Sequence, residues 1–148
     1  MKKILVSGCL YGDHVRYDDT DVPCLDERFL NWKKEGRLIP VCPEVFGGLP
    51  TPRPDSQRAG DRILDAAGAD VTNEHTAGAE EALRLAVEND VAFAIMKVGS
   101  ASCGTKYIYD GTFTNTRIDG VGLAVEYLEK AGFTVLNEFE LDQAEELL

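Results

Sequence analysis

The chain has 148 residues, 44% hydrophobic and 28% charged, an ordinary balance for one soluble globular domain with a core that needs no disulfide support. Its 26 acidic against 15 basic side chains give a formal charge of −11, which argues against a general binder of nucleic acid or of anionic membranes. A local basic pocket stays compatible with that total.

The first apolar run, Ile4 to Val6 behind Lys2 and Lys3, stops at Ser7-Gly8-Cys9, far short of a secretory core. No run of about 18 apolar residues occurs anywhere, so a cytoplasmic chain without a membrane span is expected. Four cysteines in that setting are expected to be free, metal-binding or catalytic, and none forms a C-x-x-C pair.

Lys3 to Val6 reads as a central parallel strand. It ends in the small-residue stretch Ser7 to Gly12, expected to be a loop in which two glycines let backbone N–H groups approach an anion or cluster around Cys9. Arg16-Tyr17 precedes the acidic segment Asp18-Asp19-Thr20-Asp21, which lacks the glycine and terminal glutamate of a calcium loop and reads as solvated. Leu25 to Lys34 has the spacing of an amphipathic helix closed by Gly36. Cys24, at its approach, has no motif around it and reads as a small, partly buried residue.

Leu38 to Val41 reads as a buried strand running into Cys42 to Arg53 (CPEVFGGLPTPR). Three prolines and two adjacent glycines in that run predict a rigid loop rather than helix or strand. Pro54 to Asp61 is polar, Arg62 to Asp65 follows, and Thr72 is a candidate N-cap for a helix from about Glu74 to Asn89. Val91 to Lys97 is the clearest buried strand. It enters a second small-residue loop, Gly99 to Gly104, around Cys103. Tyr107 to Thr112 suggests a turn or hairpin through Asp110-Gly111. A helix from Leu123 to Ala131, a strand from Phe133 to Leu136 and a short acidic helix complete the chain. Strand–helix–strand spacing of this kind indicates parallel crossover units, hence an α/β class. With no repeat or linker visible, residues 1–148 are expected to form one domain.

Cys9, Cys42 and Cys103 share one context, each just past the C-terminal end of a predicted strand. In a parallel sheet those ends share an edge, so the three thiols are expected to converge where such sheets bind ligands. Thiolates are ligands of zinc, copper(I) and iron–sulfur clusters, and three of them on a four-iron cluster leave one iron open for chemistry. The plainer alternative is three small residues packed in tight loops.

These motifs together resemble the thiouracil desulfidase family. The resemblance rests on Cys9-Leu10-x-Gly12 with Arg16-Tyr17-Asp18, the whole Cys42-to-Arg53 run, Asp70-Val71-Thr72, Gly78-Ala79-Glu80 and Ser100-x-Ser102-Cys103-Gly104. Tyr109 to Phe113, the Gly120-x-Gly122 helix start and Gly132 to Val135 extend it over nearly the full length. It implies a single compact Rossmann-like three-layer αβα domain with a mostly parallel sheet. It also implies a 4Fe–4S cluster held by Cys9, Cys42 and Cys103, whose free iron takes sulfur from a thiolated base such as 2-thiouracil and releases hydrosulfide without net redox change. Glu44 and Ser100 are then the expected catalytic residues. Glu44 would act as base or proton carrier, and Ser100 would orient water or substrate. For each, the plainer alternative is an ion-paired carboxylate and a loop hydroxyl capping backbone groups.

Arg16 and Arg53 are candidates to bind substrate or an anion, or else structural ion-pair partners. The expected partner is a small thiolated base or nucleoside, with no nucleic acid and no membrane; oligomeric state is not legible. Two positions depart from the family pattern. Ala101 stands where proline is usual, and Asp19 where glycine commonly follows the Arg-Tyr-Asp motif. A rival reading, from a different class, is a small-ligand binding or sensor module with a structural or oxygen-sensing metal site.

Overall fold

A computed structural model describes residues 1–148. In chain order the elements are β1 (Ile4–Ser7), α1 (Gly8–Tyr11), α2 (Glu27–Lys34), β2 (Leu38–Val41), α3 (Pro43–Phe46), β3 (Ser56–Ala59) and β4 (Arg62–Asp65). Then come α4 (Thr72–Glu88), β5 (Phe93–Ile95), β6 (Tyr107–Tyr109), β7 (Arg117–Asp119), α5 (Leu123–Lys130), β8 (Val135–Leu136) and α6 (Leu141–Leu147). No helix is long and apolar enough to cross a membrane.

The central sheet has four parallel strands in the order β2-β1-β5-β8. Alternation along the inner strands sorts the core into two faces. Ile4 and Val6 of β1 and Phe93 and Ile95 of β5 pack with Phe29 and Trp32 of α2 and with Leu141 and Ala144 of α6. Leu5 and Ala94 point the other way, onto Ala79, Ala82 and Ala86 of α4 and Ala124, Val125 and Leu128 of α5. The result is the expected three-layer αβα arrangement. Each fully buried large side chain, such as Phe29 or Phe93, contributes about 1.5–3 kcal/mol. Pro40 is tolerated in β2 because that strand lies at the sheet edge, opposite Val6.

Several local expectations are corrected. The stretch after β1 and the one after β2 are not loops throughout, because each opens with a single helical turn, α1 and α3. Pro43 sits at the first helical position, where its missing N–H is never needed and its fixed φ favours the helix. Helix α2 begins at Glu27 rather than Leu25, since the Asp26 carboxylate accepts from the Arg28 N–H at 2.9 Å and sets the N-terminus. Thr72 is the first residue of α4 and not its cap. Its hydroxyl instead accepts from the Ile63 N–H at 2.9 Å and donates to Asp70 at 2.6 Å.

The polar stretch before Asp61 contains an unforeseen strand, β3, paired antiparallel with β4. The hairpin of β6 and β7 closes through residues 110–116 rather than through a two-residue turn at Asp110-Gly111. Asp110 turns inward on Thr112 instead, accepting from its N–H at 2.9 Å and its hydroxyl at 2.6 Å.

Candidate active site

Strand β1 lies between β2 and β5, so the chain leaves it to opposite sides and a crevice opens beyond its C-terminal end. A cavity of about 550 Å³ occupies that place. Cys9, Arg16, Cys42, Glu44, Arg53, Ser100 and Cys103 all line it, so the structure brings every sequence-predicted site residue to one cavity. Cys24 does not reach it and packs against the apolar cluster around Trp32 and Leu38.

The three thiols arrive by three routes. Cys9 is carried by α1, directly after β1, and Cys42 is the residue before α3. Cys103 lies in a turn pinned to the start of α5, where the N–H groups of Gly122, Leu123 and Ala124 donate to Gly104, Ala101 and Ser102 at 2.9, 2.9 and 3.0 Å. Ala101 is buried there against Ile63 and Val71, so the position that departs from the family pattern still serves packing. None of the cysteines is in a disulfide.

Burial, then the neighbouring Cys42, pushes the Cys9 thiol up to about 11. Burial pushes Cys103 up to about 12, with Cys9 and Cys42 adding to the rise and a bond from Ser7 opposing it. Cys42 is raised as well, mainly by burial. Cys9 feels Cys42 and Cys103 feels both, and the cations nearby, Lys97 and Arg16 at Cys9 and Arg53 at Cys42, do not offset the burial. A thiophilic metal group would supply the further positive charge, so the donor set fits one.

No three His, Cys, Asp or Glu side chains stand close enough to clasp a single metal ion. Lone zinc would need its sulfurs about 2.3 Å from one centre, whereas a multi-iron cluster accepts a wider triangle of thiolates.

Glu44 is fixed beside this triangle. Its Oε1 accepts from Arg53 Nε at 3.3 Å, and its Oε2 accepts from the Ser102 hydroxyl at 3.0 Å. Ser102 in turn lies 3.0 Å from the Ser100 hydroxyl and 3.6 Å from the Cys103 sulfur. Ser100 Oγ accepts from the N–H groups of Ser102 and Cys103 at 3.1 and 3.0 Å. Ser100 thus shapes the Cys103 turn and reaches Glu44 only through Ser102.

Arg53, whose side chain is 4% exposed, directs its donors inward. It donates to Val15 O at 2.8 Å, Pro50 O at 3.2 Å and the Thr51 hydroxyl at 3.0 Å. Those bonds tie the Cys42 run to the 15–17 segment, which favours the structural alternative for this residue. Arg16 has only a 3.4 Å contact to the Thr20 hydroxyl and a place 5.9 Å from the Tyr17 ring centre. Of the two arginines it is the one free to meet a ligand.

Sequence reading missed three contributors. Ser102 belongs to a motif already noted, and its place beside Cys103 was the available signal. His75 lies at the i, i+4, i+7 and i+11 spacing of Ala79, Ala82 and Ala86, the core face of α4, with its Nε2 3.7 Å from Glu44 Oε1. The far wall has Tyr107, Tyr109 and Phe113; Tyr109 to Phe113 belongs to a motif already noted, which was the available signal, and Tyr107 had none. Gln57 brings that wall in, accepting from the N–H groups of Gly111 and Phe113 at 3.1 and 3.2 Å.

Known proteins share this fold. A solved structure described as the 4Fe–4S-dependent thiouracil desulfidase TudS superposes with a TM-score of 0.96 at 40% identity, covering 100% of both chains. The chain is also 35% identical to the protein YbbK of Bacillus subtilis (strain 168), described as uncharacterized, over 94% of this chain and 97% of that one. The family model for 2-thiouracil desulfurase matches residues 4–140, and the chain belongs to that family.

Proposed function

We propose that the chain is a 4Fe–4S-dependent desulfidase of thiouracil or a closely related thiolated pyrimidine base or nucleoside, working as a single domain. The observation that carries the proposal is the meeting of three unpaired thiols with one anchored carboxylate on the wall of one cavity. Cys9, Cys42 and Cys103 are the residues that would hold the cluster. When bound, the cluster supplies an iron with an open coordination position, a Lewis acid for the thiocarbonyl sulfur.

The protein's own part is proton handling and orientation. Glu44 holds one oxygen on Arg53, while the other shares the Ser102 hydroxyl at the cavity wall. In that place its carboxylate takes a proton from the water whose oxygen replaces sulfur on the ring carbon. The exchange balances as C=S plus water giving C=O, hydrosulfide and a proton, with no electron transferred. Ser100 keeps Ser102 and the Cys103 turn in register. Arg16 faces the substrate as a cation, and Tyr107, Tyr109 and Phe113 offer apolar faces to a planar ring.

The test is sulfide release from 2-thiouracil by anaerobically reconstituted protein. Turnover is expected in the parent, and Glu44→Gln should abolish it while the bound iron remains. A parent that binds iron but releases no sulfide from a panel of thiolated bases would overturn the reading.

A further inference from the structure

His75 is fully buried, at 0% exposure, yet neither ring nitrogen has a hydrogen-bond partner. A buried imidazole without partners is uncommon, because losing water without replacing its hydrogen bonds is unfavourable. What stands nearest is a carboxylate. Nε2 lies 3.7 Å from Glu44 Oε1, outside bonding range by about 0.5 Å. Oε1 is the loosely held oxygen, since its bond from Arg53 is long at 3.3 Å, whereas Oε2 has the 3.0 Å bond from Ser102.

The packing that puts His75 behind Glu44 is backbone against backbone. A Cβ on Gly78 of α4 would lie 1.9 Å from Pro43 O, and one on Gly47, just after α3, would lie 1.9 Å from Glu74 O. Two glycines therefore let the short turn carrying Glu44 rest directly on the first turns of α4. Around the ring the charged groups are Glu44 from α3, Arg53 from the following run and Glu74 from α4 itself.

We propose that His75 is the positioning residue for Glu44, donating its Nε2–H to Oε1 so that Oε2 stays turned toward Ser102 and the cavity. His75 does not line the cavity and would touch no substrate. Its action passes entirely through Glu44, so it rests on the desulfidase reading for its consequence in turnover, though not for the hydrogen bond itself. A small shift of the carboxylate away from Arg53 completes the contact. Glu44 would then be held from two sides by neutral and charged donors, a common way of fixing a reacting carboxylate.

Two measurements on the reconstituted protein test this. The first is the nitrogen-15 NMR signature of the imidazoles, of which the chain has two, His14 and His75, separable with a His14→Gln variant. The expected signal is a neutral His75 with the proton on Nε2 and a hydrogen-bonded shift that moves in Glu44→Gln. A proton on Nδ1, or a shift indifferent to Glu44→Gln, overturns the proposal. The second is kinetic. His75→Phe should lower kcat by about 10- to 100-fold with KM little changed, and His75→Gln, whose amide N–H replaces Nε2–H, should recover most of it. Loss in both variants alike, or in neither, would make His75 a packing residue only. If the parent releases no sulfide from thiouracil, the functional reading fails, and the NMR result still decides the role of His75.

Discussion

The contact of α3 with α4 predicts an unusual response to Gly78→Ala. In a helix interior this change ordinarily stabilises, by about 1 kcal/mol, because alanine is the better helix former. Here the new methyl would lie 1.9 Å from the Pro43 carbonyl oxygen, where real Cβ contacts below 3.0 Å are essentially absent. The two elements would have to part by about 1 Å or more, against a neighbour that is backbone and cannot rotate away. Overpacking of this kind costs about 1–3 kcal/mol, so after the propensity term the net change is a loss of up to about 2 kcal/mol rather than a gain.

For a chain of this length that loss at its full size lowers Tm by about 4–8 °C. The displaced turn carries Cys42 and Glu44, so iron retained after reconstitution should fall as well. Thermal unfolding of the parent and of Gly78→Ala, with Glu80→Ala on the exposed face of α4 as control, makes the measurement. The control should stay within about 0.5 kcal/mol of the parent. A Gly78→Ala protein with raised Tm, as propensity alone requires, would refute the argument.

Arg53→Ala removes a nearly buried guanidinium from Val15, Pro50, Thr51 and Glu44 together. It should cost about 3–5 kcal/mol in urea unfolding, with little recovery in Arg53→Lys, which cannot reproduce the fork; a loss below about 1 kcal/mol would contradict the anchoring role. In metal-free protein the thiols of Cys9 and Cys103 are raised from about 9 to about 11 and about 12. Above about pH 9 the unfolded chain gives up these protons while the folded one keeps them. Stability from the two groups is therefore full below pH 9 and declines as pH rises toward 12, by up to about 1.4 kcal/mol per pH unit for each. Urea midpoints should fall less steeply in Cys103→Ser, and equal slopes would count against the shift.

Much of the site could be read before the fold was known. A cysteine following each of three apolar runs is a linear pattern, and parallel topology converts it into a spatial one, since strand ends share an edge. The runs themselves were legible because β1 and β5 are buried on both faces and read as continuous apolar stretches. The turns were less so. Pro43 looked like a helix breaker, because its effect depends on whether it falls inside a helix or at its first position. β3 was missed because Ser56 to Ala59 is polar, and its partner β4 is a tertiary choice.

By itself, then, the sequence determined the α/β class and the three thiols, since these follow from residue type, period and order along the chain, while the carboxylate two residues beyond Cys42 came from the family resemblance. Only the tertiary structure decided how they are held. Arg53 became an anchor because its donors find carbonyls from the loop around it and from Val15, 38 positions away. Ser102, rather than Ser100, reaches Glu44, because the Cys103 turn is pinned to α5. His75 gained its place behind the carboxylate because two glycines, 31 positions apart, let two backbones touch. A hydrogen bond needs its partners within about half an ångström of a set distance, and no pattern along a chain carries that precision.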